Sequence, residues 1–285
     1  DAADSVTSLG EDGKVYLSLC AHEMDDTGYT CKKCHTQFDA RIGESAYYQT
    51  LAEAFQNAWD GSTITLMRDV TLTGNCSASD TITLDLHGKT IASGDKFFNV
   101  NKKLTVKDSS EGGGTQALNV KFWVNTNGTL AVDNSYTGEI SRVELQTGGA
   151  LEAYTGTIQE LLLGKGNGTG YSVKLWKDNA HCCTVKTITL AENADRNLTV
   201  GGLLETNHAK CELYGEKDGT WSIVDKSTKI VDLTGYTAYK VQFAECVHQC
   251  DNDMVEKPVC SKCGKVLVVK ITATASDGKT RTAWF

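Results

Sequence analysis

The sequence predicts an all-β fold, a solenoid of stacked parallel β coils. Three features predict it. Short β segments recur every 18 to 22 residues, the apolar residues within each segment alternate with a period of two, and glycine clusters fall between segments. "TITL" stands at 63 to 66 and again at 81 to 84, 18 residues on, and "KLTVKD" follows at 103 to 108 after another 22. "GTLAVDNSYTGEI" at 128 to 140 is echoed by "GALEAYTGTI" at 149 to 158, matching Leu130 with Leu151 and Ile140 with Ile158. A third "TITL" at 187 to 190 and "NLTV" at 197 to 200 extend the series.

Within a segment, Ile64 and Leu66, Ile82, Leu84 and Leu86, and Leu104 and Val106 are expected to point inward while threonines and charges point out. Stacking such positions from coil to coil buries one apolar column and pairs each strand above and below. Gly88, Gly94, the run Gly112 to Gly114, Gly128, Gly138, Gly148, Gly149 and Gly156 mark the corners. The single proline, Pro258, lies outside the repeats, as expected where every residue must donate to a ladder. An all-β sandwich also has many short strands, but does not require a near-constant period.

The open end of a solenoid needs a cover. "YYQTLAEAFQNAWDG" supplies one: Leu51, Ala54, Phe55 and Ala58 fall at helical spacing, Thr50 and Glu53 form a capping box and Gly61 is a stop. This predicts an amphipathic helix over 50 to 59 that plugs the first coil.

Eleven cysteines is a large, odd number, which points to metal ligands or thiols beyond any bridges. Cys20-x-His22 is followed after eight residues by Cys31-x2-Cys34. Cys246-x-His248 is followed after eleven by Cys260-x2-Cys263. Three thiolates and an imidazole in two close pairs match a tetrahedral structural zinc site, with each pair on a tight turn, and Gly264 lets amides approach the Cys263 sulfur. Two structural zinc ions are therefore expected. Four protein ligands leave no position for water, so both sites read as folding staples. Disulfides between the same cysteines are the alternative, although they would not need the histidines.

Cys76, Cys182, Cys183, Cys211 and Cys250 remain. "HCC" at 181 to 183 with His208 and Cys211 is a candidate third metal site, small buried core cysteines are the preferred reading, and Cys250 is a possible competitor for the ligand role of His248.

The predicted organisation is a zinc-ribbon-like segment over 1–46, a capping helix over 47–60, the parallel β-helix over 61–225, and a C-terminal β segment over 226–285 with the second metal motif. "VLVVKITATAS" and "KTRTAWF" predict a closing hairpin that turns at Asp277-Gly278.

The succession "YYQTLAEAFQNAWDGSTITLMRDVTLTG", "TITLDLHGKTIASG" and "KLTVKDSSEGGG" resembles the right-handed parallel β-helix (pectate-lyase-like) segments of large surface proteins from anaerobic Gram-positive bacteria. The likeness is densest over 47 to 114 and weaker to about 225. It implies a right-handed β-helix in a secreted or wall-attached chain, and it leaves activity open. His87 departs from the asparagine expected in "LDLNGKTI", and a lone histidine there reads as a surface or turn residue.

A net charge of −8 and a pI near 5.3 remove the electrostatic basis for nucleic-acid binding, and "CKKC" reads as a solvated turn. No apolar run is long enough to span a bilayer, and "DAADSVTSLG" lacks the pattern of a signal peptide. Asn75, Asn127, Asn167 and Asn197 begin Asn-x-Ser/Thr sequences, glycan acceptors in a eukaryotic secretory pathway, although Asn-Gly-Thr at 127 and 167 reads equally well as turn chemistry, the preferred reading.

Catalytic candidates are few. Asp85 and Asp108 occupy comparable positions in neighbouring coils without an arginine beside them, and Asp25-Asp26 lies in the zinc loop. Trp123, Tyr136 and Tyr154 are expected to offer stacking faces on the flank. The expected function is a non-catalytic extracellular module: adhesion, glycan or host-ligand binding, or a structural spacer. A polysaccharide lyase or glycoside hydrolase with a degenerate site is the alternative, and closed ligand sets argue against metal storage or a redox role.

Overall fold

The computed structural model describes residues 5–9, 15–178, 181–205, 211–243, 270–274 and 278–284. They divide into two compact units, one of residues 1–209 with 213–242 and one of 210–212 with 243–285. The first unit contains a β-solenoid of about five turns.

One face of the solenoid is a parallel stack of Thr63–Leu66, Ile82–Asp85, Lys103–Lys107, Thr129–Val132, Ala150–Ala153 and Ser172–Lys174. A second stacks Cys76–Ala78, Phe98–Val100, Leu118–Val124, Glu139–Gln146, Thr157–Gly164 and Thr184–Leu190. Val70–Thr71 and Ile91–Ala92 begin a third face, which Asn119 continues by pairing with Ala92. A register shift between Leu118 and Lys121 is where the long strand turns from the third face into the second.

The columns explain why the repeat folds this way. Ile82, Leu104, Leu130, Leu151 and Val173 lie in register, and each is buried. On the second face Cys76, Phe98, Phe122, Val143, Leu161 and Ile188 form the matching column. Each such side chain contributes about 1.5–3 kcal/mol on burial, so every added coil extends the core. Leu130 pairs with Leu151 and Ile140 with Ile158, as the sequence echo predicts. The two "TITL" segments differ from prediction: Ile64 pairs with Leu84, an offset of 20 rather than 18. A slip of two residues keeps every side chain on its face, so alternation does not distinguish the two registers.

Corners are backbone-limited. His87 (φ 47°) and Gly88 (φ 77°) are consecutive left-handed residues, a conformation asparagine and glycine adopt more readily than histidine. Asn127 (φ 66°) does the same at its corner, in keeping with its reading as turn chemistry. At Gly128 a Cβ would lie 2.1 Å from the Val100 carbonyl oxygen, so no larger residue fits.

The N-terminal end is covered as predicted, by a shorter helix. It spans Leu51–Asn57, and the Thr50 and Glu53 capping box is complete. Ala58 is the extended C-cap rather than part of the apolar stripe. Phe55 meets Phe98 edge-on at 5.5 Å and Phe98 stacks on Phe122 at 5.1 Å, so the helix plugs the second-face column directly. Ala40–Ile42 and Ala46–Tyr48 add two antiparallel strands to the first face.

Parallel pairing ends at Thr184–Leu190. "NLTV" is no further coil strand, because Val200 opens the helix Val200–Glu205. Beyond it, Ala238–Phe243 runs antiparallel, with Val185 opposite Tyr239, and Tyr214 pairs with Ile223 in a hairpin. In the second unit Lys270–Thr274 and Thr280–Trp284 form the predicted hairpin, with Gly278 at φ 78° in its turn. A further antiparallel pair, Ser5–Leu9 with Val15–Leu19, precedes the first metal motif. No described helix is long and apolar enough to cross a membrane.

Candidate metal centre

The segment from Cys20 to Phe38 folds back on itself. Met24 bridges Cys31 and Thr30 bridges Gln37 in antiparallel fashion, while the Asp25 carboxylate accepts the Thr27 amide and hydroxyl and closes the loop tip. This brings Cys20-x-His22 against Cys31-x2-Cys34. The ligand atoms of Cys20, His22, Cys31 and Cys34 all lie within 4.8 Å of one another. Cys20 Sγ is 3.5 Å from Cys31 Sγ, and Cys34 Sγ is 3.5 Å from His22 Nδ1. An ion about 2.3 Å from each sulfur would set tetrahedral ligands about 3.8 Å apart, so the cluster fits a metal with little movement.

The electrostatics also ask for a cation. Burial works to raise the Cys31 thiol, yet amide N–H groups from Cys34, Glu23 and Lys33 and the His22 ring draw it down to about 5. The Lys33 amide donates to Cys31 Sγ at 3.4 Å. Burial, followed by the Cys31 and Cys34 sulfurs, pushes Cys20 up to about 12. Three neighbouring sulfurs do not all ionise unless a positive charge sits among them. A metal ion held by these four side chains would supply that charge.

The cluster is built into the end of the solenoid. Cys20, Cys31 and Phe38 are buried together, with Met24, Cys34, Tyr47 and Met67 packed on them. The His22 ring meets Phe38 edge-on at 4.7 Å and Tyr47 at 5.9 Å. Arg68, just past the first coil strand, reaches back to Asp39 and to Gln37 Oε1 at 2.9 Å. No pattern of period or spacing foretells that last link.

Cys246, His248, Cys260 and Cys263, together with Cys250 and His208, lie outside the described residues. Among the described residues, the N-terminal cluster is the one group of three or more such side chains that converges. Of the third-site candidates, Cys183 and Cys211 are fully buried, and Cys182 Sγ lies 3.4 Å from the Val241 carbonyl oxygen. Cys76 heads the aromatic column, where burial pushes its thiol up to about 12. Cys76, Cys183 and Cys211 are the small core residues expected.

The carboxylate candidates hold backbone. Asp85, 5% exposed, accepts the amides of His87 and Ser109 and lies 3.4 Å from Lys107 Nζ. Asp108, 2% exposed, accepts the amides of Gly88 and Ser110 and the Gln116 side chain. Of the flank aromatics, Trp123 is exposed and Tyr154 half-buried. Tyr136 is wholly buried, with its hydroxyl 2.9 Å from the carbonyl oxygens of both Gln116 and Glu139. Its polar tip is satisfied inside the corner, so Tyr136 offers no stacking face.

Sequence reasoning missed a cluster on the outer second face. Arg142 lies 3.7 Å from Glu144 and 3.5 Å from Glu160, two register positions from Trp123, which pairs with Glu144. Of these residues only Trp123 was read from the sequence as outward, because the neighbourhood of the others depends on the coil register. No protein-family model matches the chain, and no curated protein or solved structure matches it.

Proposed function

We propose that the chain is a non-catalytic extracellular module, a cell-surface β-helix that binds a glycan or other host ligand along its flank or holds other domains apart. The observation that carries this reading is the use of Asp85 and Asp108. Both carboxylates are buried and engaged with backbone amides, so neither is presented to a substrate. Trp123, 39% exposed and 5.7 Å from the Phe97 ring, supports binding, because an exposed aromatic face stacks on sugar rings.

Zinc is the metal we assign to Cys20, His22, Cys31 and Cys34, since three thiolates with one imidazole suit it best and a closed set makes the role structural. The repeated ligand order at Cys246, His248, Cys260 and Cys263 supports a second zinc. Elemental analysis of the purified chain is expected to give about two zinc per chain; none would overturn the staple assignment.

The lyase or hydrolase alternative has one observation in its favour, the two carboxylates of Glu144 and Glu160 bracketing Arg142 beside Trp123. A glycan array with a reducing-end assay separates the readings. Binding that Trp123→Ala weakens about tenfold, without cleavage, supports the module. New reducing or unsaturated ends would overturn it in favour of the enzyme.

A further inference from the structure

A concave feature that includes none of the residues around Trp123 lies where the Cys20–Phe38 loop meets the first coils. It is a cavity of about 340 Å³ whose lining includes Met24 from the loop, Arg41 and Tyr47 from the antiparallel strands, and Leu66, Met67, His87 and Lys89 from the coils. The volume lies in the range of small-ligand sites. In a chain of net charge −8, a hollow that gathers Arg41, Lys89 and an imidazole is a local reversal of sign.

The donors are available. Arg41 Nη1 serves the Gly43 carbonyl at 3.0 Å and Glu44 at 2.8 Å, whereas its Nε and Nη2 make no hydrogen bond among the described residues. Lys89 lines the same cavity and makes no ion pair within 4 Å among the described residues, although its charge helps to lower Asp69. Of the nearby carboxylates, Asp85 pairs with Lys107 and Asp25 with Thr27, while Asp69 accepts the Thr90 amide at 2.8 Å and feels the Lys89 charge only as a weaker, longer-range attraction. Glu44, paired with Arg41, has a side chain 93% exposed and is well screened. A guanidinium and an ammonium lining one space form a receptor for an oxyanion, and the half-buried Tyr47 and Met67 offer an apolar wall for its carbon skeleton.

We infer that this cavity binds a saccharide unit carrying one oxyanion, a carboxylate or a sulfate ester, with the charge on Arg41 and Lys89 and the ring against Tyr47 and Met67. The site goes beyond the flank reading, since it uses none of the residues around Trp123. One wall comes from the metal-held loop, so an intact metal segment is part of the site.

The test uses the full chain and four probes, D-glucuronate, D-glucose 6-sulfate, inorganic phosphate and neutral D-glucose, with binding followed by calorimetry or NMR shifts. At least one of the two charged sugars is expected to bind with Kd of about 1 mM or tighter, and about tenfold or more better than D-glucose. Which one wins identifies the oxyanion. Lys89→Ala and Arg41→Ala are each expected to weaken binding about fivefold or more at unchanged melting temperature, Lys89→Arg to retain it, and Trp123→Ala to leave it unaltered. Absence of binding by both charged sugars, binding indifferent to Lys89→Ala, or phosphate bound as well as either sugar would overturn the inference. Loss of array binding in Trp123→Ala with small-anion binding intact would separate this site from the flank.

Discussion

Arg68 donates from both Nε and Nη2 to a single oxygen, Oδ1 of Asp39, at 2.8 and 2.7 Å. Asp39 is only 7% exposed, and it sits between the metal segment and the first coil. Removing the guanidinium would leave a buried carboxylate without its partner, so Arg68→Ala is expected to lower stability by about 2–4 kcal/mol. Lysine cannot reproduce the fork, and Arg68→Lys should recover less than half. Urea denaturation checks both, and an Arg68→Ala change within error of wild type would refute the role.

Phe98 lies between Phe55 of the capping helix and Phe122 of the next coil, with no exposed surface. Truncating it opens a cavity at the junction of cap and core. Phe98→Ala should therefore cost about 3–5 kcal/mol. Trp59, 59% exposed at the same end, serves as the control, and Trp59→Ala should shift stability by about 0.5 kcal/mol or less. Thermal and urea melts of the two variants would test the contrast.

The contrast marks where sequence stops being informative. The short strand Phe98–Val100 carries no repeat signature and went unread, whereas Phe55 falls on a helical stripe that was legible, and the capping box at Thr50 and Glu53 fixed the start of the helix. Its end was not, because Ala58 is a good helix former held extended by the approach to the first strand. Tyr136 read as outward because alternation lapses at corners, where a hydroxyl reaches two carbonyls. That Cys20, His22, Cys31 and Cys34 converge was readable from spacing alone. Arg68 with Asp39, and Arg142 with Glu160, depend on how far the coil register carries one residue toward another, which no local pattern encodes.

Acid should weaken the solenoid. The Lys102 hydrogen bond and the Thr81 amide hold Asp60 down at about 2, the Thr90 amide lowers Asp69, and Lys174 lowers Glu152. Burial raises Asp108, but bonds from Ser110, Gln116 and Gly88 outweigh it and leave the carboxyl below its ordinary value. Each of these groups is depressed in the folded state relative to 3.8 for aspartate or 4.5 for glutamate. Their contribution is complete above those values and is lost as pH falls toward the folded ones. Melting temperature is therefore expected to hold steady above about pH 5 and to fall between about pH 4 and 2. The measurement is made on chelated protein, so that metal release does not contribute, and in high salt the Lys102 share should shrink. A melting temperature that rises as pH drops from 4 to 2 would contradict the assignment.

His35 follows the last ligand of the first cluster at φ 59°, a left-handed conformation that disfavours a side chain. Its amide donates to the Cys31 carbonyl at 2.9 Å and so closes the turn that aims Cys31 and Cys34 at one point. The corresponding residue of the second motif in sequence is Gly264, and glycine is the residue type that tolerates such a conformation without strain. His35 is exposed and its ring is no member of the ligand group, so His35→Gly should relieve strain without removing a donor. The gain is expected to be about 1 kcal/mol, read as a higher chelator concentration at half-release of metal, whereas His35→Ala should give none. Cys31→Ser sets the opposite limit: it should lose the metal and amide-exchange protection over residues 20 to 38 while the coils beyond residue 63 stay protected. If His35→Gly released metal as easily as Cys31→Ser, the histidine would be a ligand or ligand support rather than a strained turn residue, and the four-residue site would need a fifth member.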